Sequence, residues 1–301
     1  MIFTNFFIED HHKDTLIFVK SLESSLINFK GLYSGKIKLK YLNGNQIYLK
    51  LKHYKNEKSH SLNILLEKLK KNRNPNRKIK FNIKEIDLNK IFFSFGNENN
   101  HKSKTVKLNS EKIRATKLVF VKNELKVNIE NFKGNFNDSF MKSINTSASI
   151  SYKPGSLSLD RFRLSYGPNY LNGNIELTGN NGNLNSFNSN GNVNMTVDDC
   201  KIELISMFPK NKYLNDIPPL RTSFLANGSF SQLVLEKLKV SNRFFKFFGN
   251  LNVNNLLNEE DLKIKIFTDS LKIKINELRK INSIPHQVNK NLPKISNLNL
   301  K

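Results

Sequence analysis

The chain has 301 residues, of which 38% are hydrophobic and 25% are charged, and its formal net charge is +24. This length is enough for one or two domains or for one elongated body built from repeats. The single cysteine, Cys200, excludes an internal disulfide, and no segment reaches the roughly 18–20 apolar residues that a membrane span needs. The apolar start at residues 1–8 is followed at once by Glu9 and Asp10, so the sequence predicts neither a signal peptide nor a transmembrane segment within this chain.

Short runs in which apolar and polar residues alternate make up most of the chain, from residues 15–20 to residues 271–275. Alternation with a period of two is typical of strands that bury one face. Pairs such as Asn43-Gly44 and Asn172-Gly173 favour turns, because both residue types tolerate a positive φ, although not every pair need close a hairpin. The sequence therefore predicts a mostly β fold, an elongated curved sheet that forms a groove, with one or a few short amphipathic helices.

One segment, residues 61–71, has helical rather than β periodicity. Leu62, Leu65, Leu66 and Leu69 follow the i, i+3, i+4, i+7 spacing of one helix face. The spacing predicts a helix of about three turns, which either packs on the sheet or lies over an apolar groove or a lipid surface.

Two stretches, residues 157–177 and 233–253, align without a gap at an offset of 76 residues. A polar pair interrupts the alternation at the same point of each copy, Asp160-Arg161 in the first and Glu236-Lys237 in the second, as a β-bulge or a strand bend would. Each copy then reaches a Gly-Asn pair, Gly173-Asn174 in the first, which we interpret as a turn. The sequence therefore contains a repeated element of two strands.

A weaker similarity relates residues 36–51 to residues 78–95 at an offset near 42, and both segments are interpreted as a strand, a short turn and a second strand. Stacked strand units of this kind are typical of repeat proteins. We therefore predict a first β-repeat region at 1–133 that contains the helix, a second at 134–281 that contains the two units offset by 76 residues, and a polar tail at 282–301.

No arrangement typical of catalysis, of a nucleotide site or of a metal site stands out in the sequence. His11 and His12 lie beside Asp10 and Asp14 and could hold a metal, but a solvated turn is the favoured interpretation. Cys200 has no nucleophile signature around it and is interpreted as a small filler residue. The sequence therefore predicts a protein that is not an enzyme and that has no cofactor or metal.

The apolar positions of the alternating strands define one side of the predicted sheet. If nothing covers this side, it can hold an acyl chain, and each CH₂ group that leaves water contributes about 0.8 kcal/mol. If a second layer covers it, the same residues fill an ordinary sandwich core, and the sequence leaves both alternatives open. The candidate groove-facing residues are Ile37, Leu39, Leu49, Ile91, Phe93, Phe120, Leu157, Leu159, Leu164, Ile175, Leu177, Leu235, Val240, Leu251, Val253, Ile264 and Ile266.

Lysines occupy many of the remaining strand positions, as in Lys36-Ile37-Lys38 and Lys263-Ile264-Lys265. A basic chain can bind nucleic acid through phosphate contacts. Lysines that are spread along alternating strands are more typical of the wet face of a half-buried sheet. Nucleic-acid binding is therefore the less favoured alternative.

Several stretches resemble the TamB-like translocation and assembly module proteins of the AsmA-like superfamily, in the form found in Bacteroidetes-type bacteria. The resemblance covers most of residues 1–281. It is carried by residues 6–53 with Glu9-Asp10 and Asp14-Thr15-Leu16, by the helix that follows, by GNFNDSFMKSINTSASISYKPGSLSLDRFRLSYGPNYLNGNIEL at 134–177, by ELISMFP at 203–209 and by GSFSQLVLEKLKV at 228–240.

The resemblance implies an AsmA-like body, which is a long curved β-sheet that forms a lipid-lined groove across the periplasm. It implies that phospholipid acyl chains are carried between the inner and outer membranes, or that outer-membrane proteins are assembled with a barrel partner of the assembly-module type. It implies no catalytic residues. It also implies attachment to the inner membrane through an upstream anchor helix that is absent from this chain.

Overall fold

Strands make up most of the chain, and only three short helices accompany them in the residues that the structure describes. The predicted fold class, mostly β with short helices, is therefore confirmed. The chain divides into an N-terminal unit, Met1–Ser151, and a C-terminal unit, Tyr152–Lys301, and the boundary predicted after residue 133 falls inside the strand Glu124–Phe136. This computed structural model describes residues 1–26, 36–57, 59–71, 80–99, 105–136, 143–179, 191–207, 214–256, 258–279 and 295–300.

The strands of the N-terminal unit follow one another across the sheet in the order of the chain. From the first to the sixth, neighbouring strands are antiparallel except for the third and fourth, which are parallel. The strands are β1 (Ile2–Glu9), β2 (Thr15–Leu26), β3 (Lys36–His53), β4 (Lys80–Asn97), β5 (Val106–Val121), β6 (Glu124–Phe136) and β7 (Ile144–Lys153), the last of which ends just beyond the unit boundary.

The strands β3 and β4 are continuous over 18 residues each, so the turn interpreted at Asn43-Gly44 is wrong. A Cβ atom at Gly44 would lie 2.8 Å from Ile47 Cδ1 and 2.9 Å from Leu88 Cδ2. This glycine therefore gives room to apolar neighbours in the middle of a strand. The weak sequence similarity of the two segments corresponds to two adjacent parallel strands that share one apolar pattern.

A helix, α1 (Ser61–Lys71), lies between β3 and β4 and confirms the predicted helix. Parallel neighbours need a crossover of this kind, because a tight turn cannot return the chain to the same end of the sheet. Ser61 is fully buried, and its Oγ accepts a hydrogen bond from the backbone N–H of Lys52 at 3.1 Å. This contact ties the first turn of the helix to the end of β3.

The C-terminal unit is an antiparallel sheet whose strands also follow the order of the chain. The strands are β8 (Ser156–Tyr166), β9 (Asn169–Thr178), β10 (Asn192–Ile202), β11 (Leu220–Ser229), β12 (Gln232–Ser241), β13 (Phe245–Asn254), β14 (Lys263–Lys274) and β15 (Asn297–Leu300). Two four-residue helices, α2 (Leu204–Met207) and α3 (Ile275–Leu278), and a 3₁₀ turn at Glu259–Asp261 connect them. Because β15 pairs with β14, part of the predicted polar tail is a strand.

The 76-residue repeat corresponds to two copies of one element, the pair β8–β9 and the pair β12–β13. Both copies contain the predicted bulge, and its second residue, Arg161 or Lys237, has φ of 52° in each. The Gly-Asn pairs are not turns, which corrects the interpretation from the sequence. They lie inside β9 and β13, where the side chains of Asn174 and Asn250 accept hydrogen bonds from the backbone N–H groups of the bulge residues.

Candidate functional site

One face of the N-terminal sheet consists of apolar side chains that meet across neighbouring strands. Leu39 of β3 pairs with Ile83 of β4, which pairs with Leu118 of β5, and Ile86 pairs with Ala115 beside them. These rows form the N-terminal apolar face. Its packed centre comprises Leu39, Ile83, Ile86, Ala115 and Val127, with the partly buried Ile37, Leu42, Leu88, Leu118, Ile129 and Ile150 around them.

Bulges explain why part of this centre is invisible to a simple alternating pattern. Ala115 and Leu118 belong to the same cluster although they are three residues apart. Between them, Lys117 has φ of 54°, and the register of β5 with β6 shifts. A bulge adds one residue to a strand, so residues three apart come to share a face. The residues that the sequence analysis missed at this centre are Ile83, Ile86, Ala115 and Val127. An Ile-x-x-Ile or Ala-x-x-Leu spacing could have found the first three, and Val127 lies in the plain alternation of Leu125, Val127 and Ile129.

The C-terminal sheet has a wider apolar face, which crosses seven strands from β8 to β14. We define this C-terminal apolar face by four rows of residues on neighbouring strands, which are directly paired except at Phe224 and Leu238, where a bulge interrupts the pairing of β11 with β12. The rows are Leu157, Leu177, Val193, Gly228, Leu233, Val253 and Ile264; Leu159, Ile175, Met195, Ala226, Leu235, Leu251 and Ile266; Phe162, Gly173, Val197, Phe224, Leu238, Gly249 and Thr268; and Leu164, Leu171, Cys200, Thr222, Val240, Phe247 and Leu271.

The residues that the sequence predicted to face a groove lie in such rows in both units. In the N-terminal unit, Ile37 pairs with Phe81 and then Phe120, and Leu49 pairs with Phe93. Leu39 and Ile91 lie in other rows of that face, and the remaining predicted residues occupy three of the four rows of the C-terminal face. This placement shows that the predicted residues of each unit lie on one face of its sheet. Lipid binding by these faces stays a prediction. The C-terminal residues concerned are Leu157, Leu159, Leu164, Ile175, Leu177, Leu235, Val240, Leu251, Val253, Ile264 and Ile266.

The exposure of these side chains indicates how open the faces are. A filled sandwich buries the central side chains of each sheet, whereas Leu159, Ile175 and Leu235 are only half-buried. Ile264 and Ile266 are 54% and 62% exposed. In the described residues, this first half of β14 has a strand neighbour on one side only, because β15 pairs with the second half. The C-terminal apolar face is therefore partly open to solvent.

The titratable groups of β9 and β10 are sorted between the two sides of the sheet. Cys200 lies on the apolar face, where burial raises the pKa of its thiol, so the side chain is neutral and acts as a small apolar group. On the other side, the Tyr170 hydroxyl donates to Asp199 Oδ2 at 2.8 Å, and this hydrogen bond raises the pKa of Tyr170. Polar chemistry therefore lies opposite the apolar rows.

Some of the basic side chains of the N-terminal unit are paired with acids. Arg114 Nε and Lys112 Nζ lie 3.2 and 3.4 Å from Asp87 Oδ2, and Lys133 Nζ lies 2.6 Å from Glu111 Oε2. Such pairs neutralise part of the positive charge that would otherwise bind phosphate groups. They agree with the interpretation that these charged residues form the solvent-facing side of the sheet.

A row of aromatic residues on the polar side of the N-terminal sheet was not found by the sequence analysis. The rings of Tyr48 and Phe92 are stacked, with centroids 4.6 Å apart, and Phe18 lies 5.8 Å from Tyr48. With Lys50 and Lys107 they line a hollow of about 610 Å³. Single aromatics at polar strand positions give no periodic signal, so only the register brings these residues together.

The fold and these faces define a class of protein, a mostly β chain whose sheets each have one apolar and one polar side. The chain matches no protein-family model, no curated protein and no solved structure. Within the part of the chain that the structure describes, no helix combines the length and apolar character that crossing a bilayer requires.

Proposed function

We propose that this chain is a periplasmic segment of a TamB-like, bridge-like lipid-transfer protein, held to the inner membrane through an anchor outside this chain. Its apolar sheet faces carry phospholipid acyl chains between the inner and outer membranes, and it is not an enzyme. The observation that supports this proposal is the C-terminal apolar face, whose four rows cross seven strands without a charged residue.

The dimensions of this face suit an acyl chain. Neighbouring strands lie about 4.8 Å apart, so seven strands span about 29 Å. One leaflet of a bilayer has a hydrocarbon thickness of about 15 Å, which is the length that an acyl chain covers. A 16-carbon chain that leaves water for an apolar surface gains about 12 kcal/mol when every CH₂ is covered, and partial cover gives a corresponding fraction.

The rows also provide a path along the strands. Adjacent rows are two residues apart, or about 7 Å along a strand, except where a bulge makes the step three residues, and no row contains a charged residue. An acyl chain that moves from one row to the next therefore exchanges one set of apolar contacts for another. Transfer over such a surface avoids the full cost of exposing the acyl chain to water, which is the main barrier to its movement.

Lipid binding can be tested with one substitution inside a row and one on the other side of the sheet. Native mass spectrometry and lipid extraction of the purified chain should detect phospholipid. Leu159→Asp should abolish it, because the carboxylate would lie within an apolar row, beside Ile175. Asn194→Asp is the matched control, since Asn194 is exposed and its neighbour Met195 occupies the apolar row.

The expected result is phospholipid in the wild type and in the control, with none in Leu159→Asp, and with circular dichroism unchanged in all three proteins. A wild-type chain that carries no lipid would refute the proposal. So would a Leu159→Asp chain that carries as much lipid as the wild type.

Assembly of outer-membrane proteins with a barrel partner is a second candidate function, and the edge strand β1 favours it. In the described residues β1 pairs only with β2, and its Ile2 and Phe7 side chains are 71% and 59% exposed. An apolar strand edge of this kind can add a strand from another protein. Photo-crosslinkers placed along β1 should then capture a barrel protein in intact cells, and the absence of any barrel adduct would exclude this function.

Nucleic-acid binding, which the charge of +24 first suggests, is tested by a salt titration against single- and double-stranded DNA and RNA. We expect weak binding without sequence preference that is lost near physiological salt, as for any basic surface. Tight binding that persists at that salt would favour this function over lipid transfer.

A further inference from the structure

Three potential metal ligands from two separate turns meet in the N-terminal unit. His11 and His12 belong to the turn between β1 and β2, and Glu57 lies between β3 and α1. The two Nε2 atoms lie 2.7 and 2.9 Å from the same atom, Glu57 Oε1, and the three ligand atoms all lie within 4.8 Å of one another. From the sequence, the two histidines were interpreted as a solvated turn, because a short motif beside Asp10 and Asp14 is a weak signal for a metal.

Hydrogen bonds of Asp10 fix the backbone that carries the two histidines. Asp10 Oδ1 accepts from the backbone N–H groups of His12 at 2.9 Å and Asp14 at 3.0 Å, and the backbone N–H of Asp10 donates to Asp14 O at 2.8 Å. Both the side chain and the backbone of Asp10 therefore hold the turn. In this conformation the two imidazole rings contact Glu57.

The backbone around Glu57 is fixed by the end of β4. Asn99 Oδ1 accepts from the backbone N–H of Asn56 at 2.7 Å, and Asn99 Nδ2 donates to Glu57 O at 3.3 Å. The His53 ring nitrogen Nε2 also lies 2.7 Å from Glu57 O. The carboxylate is thus presented by a connection with several anchors rather than by a free loop.

The ring of Tyr54 packs against both imidazole rings. Its ring centroid lies 4.0 Å from that of His12 and 5.5 Å from that of His11, and its hydroxyl donates to Asp10 Oδ2 at 2.6 Å. A single buried side chain therefore connects the turn backbone to both histidine rings.

The hydrogen bonds of the cluster leave two buried polar atoms unsatisfied among the described residues, His11 Nδ1 and Glu57 Oε2. Buried polar atoms are normally hydrogen-bonded, so exceptions need an explanation. A cation between the three side chains would give Glu57 Oε2 a partner through bidentate coordination. A simple histidine–carboxylate pair would not.

Two imidazoles and one carboxylate are donors that Zn²⁺ and related ions prefer. At metal–ligand distances of about 2.0–2.1 Å, tetrahedral ligand atoms lie about 3.3 Å apart. The contacts of 2.7 and 2.9 Å would have to open by about half an ångström to admit the ion. We propose that His11, His12 and Glu57 bind a divalent transition-metal ion of the Zn²⁺ class, with water completing its coordination, and that the ion clamps the β1–β2 turn to the connection after β3.

This site is independent of the proposed lipid function, and it is tested on the full chain. The protein is stripped with a chelator, dialysed and titrated with ZnCl₂ in competition with a chromogenic chelator. Co²⁺ is then substituted, because its visible absorption reports the coordination number. The variants are Glu57→Gln, the double variant His11→Ala/His12→Ala, and Glu9→Gln, a control that neutralises an exposed carboxylate of the same hairpin.

We expect one Zn²⁺ per chain in the wild type and in Glu9→Gln, a four- or five-coordinate Co²⁺ spectrum, and a melting temperature that rises with Zn²⁺. Glu57→Gln should weaken binding by roughly tenfold or more, as losses at metal sites do, and the double variant should lose the Co²⁺ spectrum. Far-UV circular dichroism of each variant verifies its fold. A wild type that does not bind Zn²⁺, or a folded Glu57→Gln chain with unchanged affinity and Co²⁺ spectrum, would overturn the proposal.

Discussion

Asn174 Oδ1, on β9, accepts a hydrogen bond from the backbone N–H of Arg161 at 2.8 Å, at the bulge within β8. The equivalent pair in the second copy, Asn250 and Lys237, makes the same bond at 3.1 Å. A bulge leaves one residue without its partner in the ladder, and the asparagine side chain supplies the missing acceptor. What the 76-residue repeat maintains is therefore a capped bulge, which increases the twist of each strand pair and keeps the apolar rows in register.

The capped bulge predicts a measurable loss of stability when the cap is removed. Asn250→Ala should lower the free energy of unfolding by about 1 kcal/mol, because the N–H of Lys237 loses its acceptor. Asn194→Ala is the control, since Asn194 is an exposed asparagine within β10 of the same unit. Urea denaturation followed by circular dichroism measures both, and equal midpoints would contradict this account of the repeat.

The glycine before each capping asparagine should tolerate no side chain. A Cβ atom at Gly173 would lie 1.9 Å from the backbone oxygen of Thr196, so Gly173→Ala must displace a strand backbone. We expect a loss of about 2 kcal/mol, as for other overpacked sites. Gly96→Ala, where the nearest atom would be 3.7 Å away, should change the unfolding free energy by no more than about 0.5 kcal/mol. If both variants unfolded at the wild-type urea concentration, the close approach would not exist in solution.

The thiol of Cys200 should react slowly with disulfide reagents at neutral pH. Burial raises its pKa above the usual value of 9.0, so less thiolate is present at a given pH than for a free cysteine, and the sulfur is also shielded. Reaction with Ellman's reagent should therefore follow unfolding in urea rather than the titration of an exposed thiol. A rate in native buffer equal to that of the unfolded chain would show that Cys200 is not on a packed face.

Two directly paired residues of the C-terminal apolar face should differ in their contribution to stability. Val253 is buried, whereas its partner on β14, Ile264, is 54% exposed. Val253→Ala should cost roughly 2 kcal/mol through lost burial and a cavity, and Ile264→Ala no more than about 0.5 kcal/mol. Thermal denaturation of the two variants measures this difference, and a larger cost at Ile264 would mean that β14 is covered in solution.

Local patterns in the sequence were enough to predict the parts of the fold that depend on neighbouring residues. The leucine spacing predicted α1, and the period of two predicted that Leu159 and Leu235 lie on the same apolar face, as they do. The polar interruption at Asp160-Arg161 predicted the bulge correctly. In each case, the side chains of one strand or helix carry the whole signal.

Features that depend on distant residues could not be predicted in this way. The turn tendency of Asn43-Gly44 is overridden because Ile47 and Leu88 fill the space beside the glycine within long parallel strands. The contact of Glu57 with two histidines of another turn has no local signal either. Both arise only when the register of the sheet brings separate segments together.

The central claim, that the C-terminal apolar face holds acyl chains, is tested most directly by photo-crosslinking from two adjacent residues of β12. Leu235 lies in an apolar row beside Ala226 and Leu251, whereas Val234 points to the other side of the sheet. A benzophenone amino acid at each position, irradiated in bacterial cells and analysed by mass spectrometry, should give a phospholipid adduct at 235 and none at 234. Equal labelling at both positions, or no lipid adduct at 235, would contradict the account.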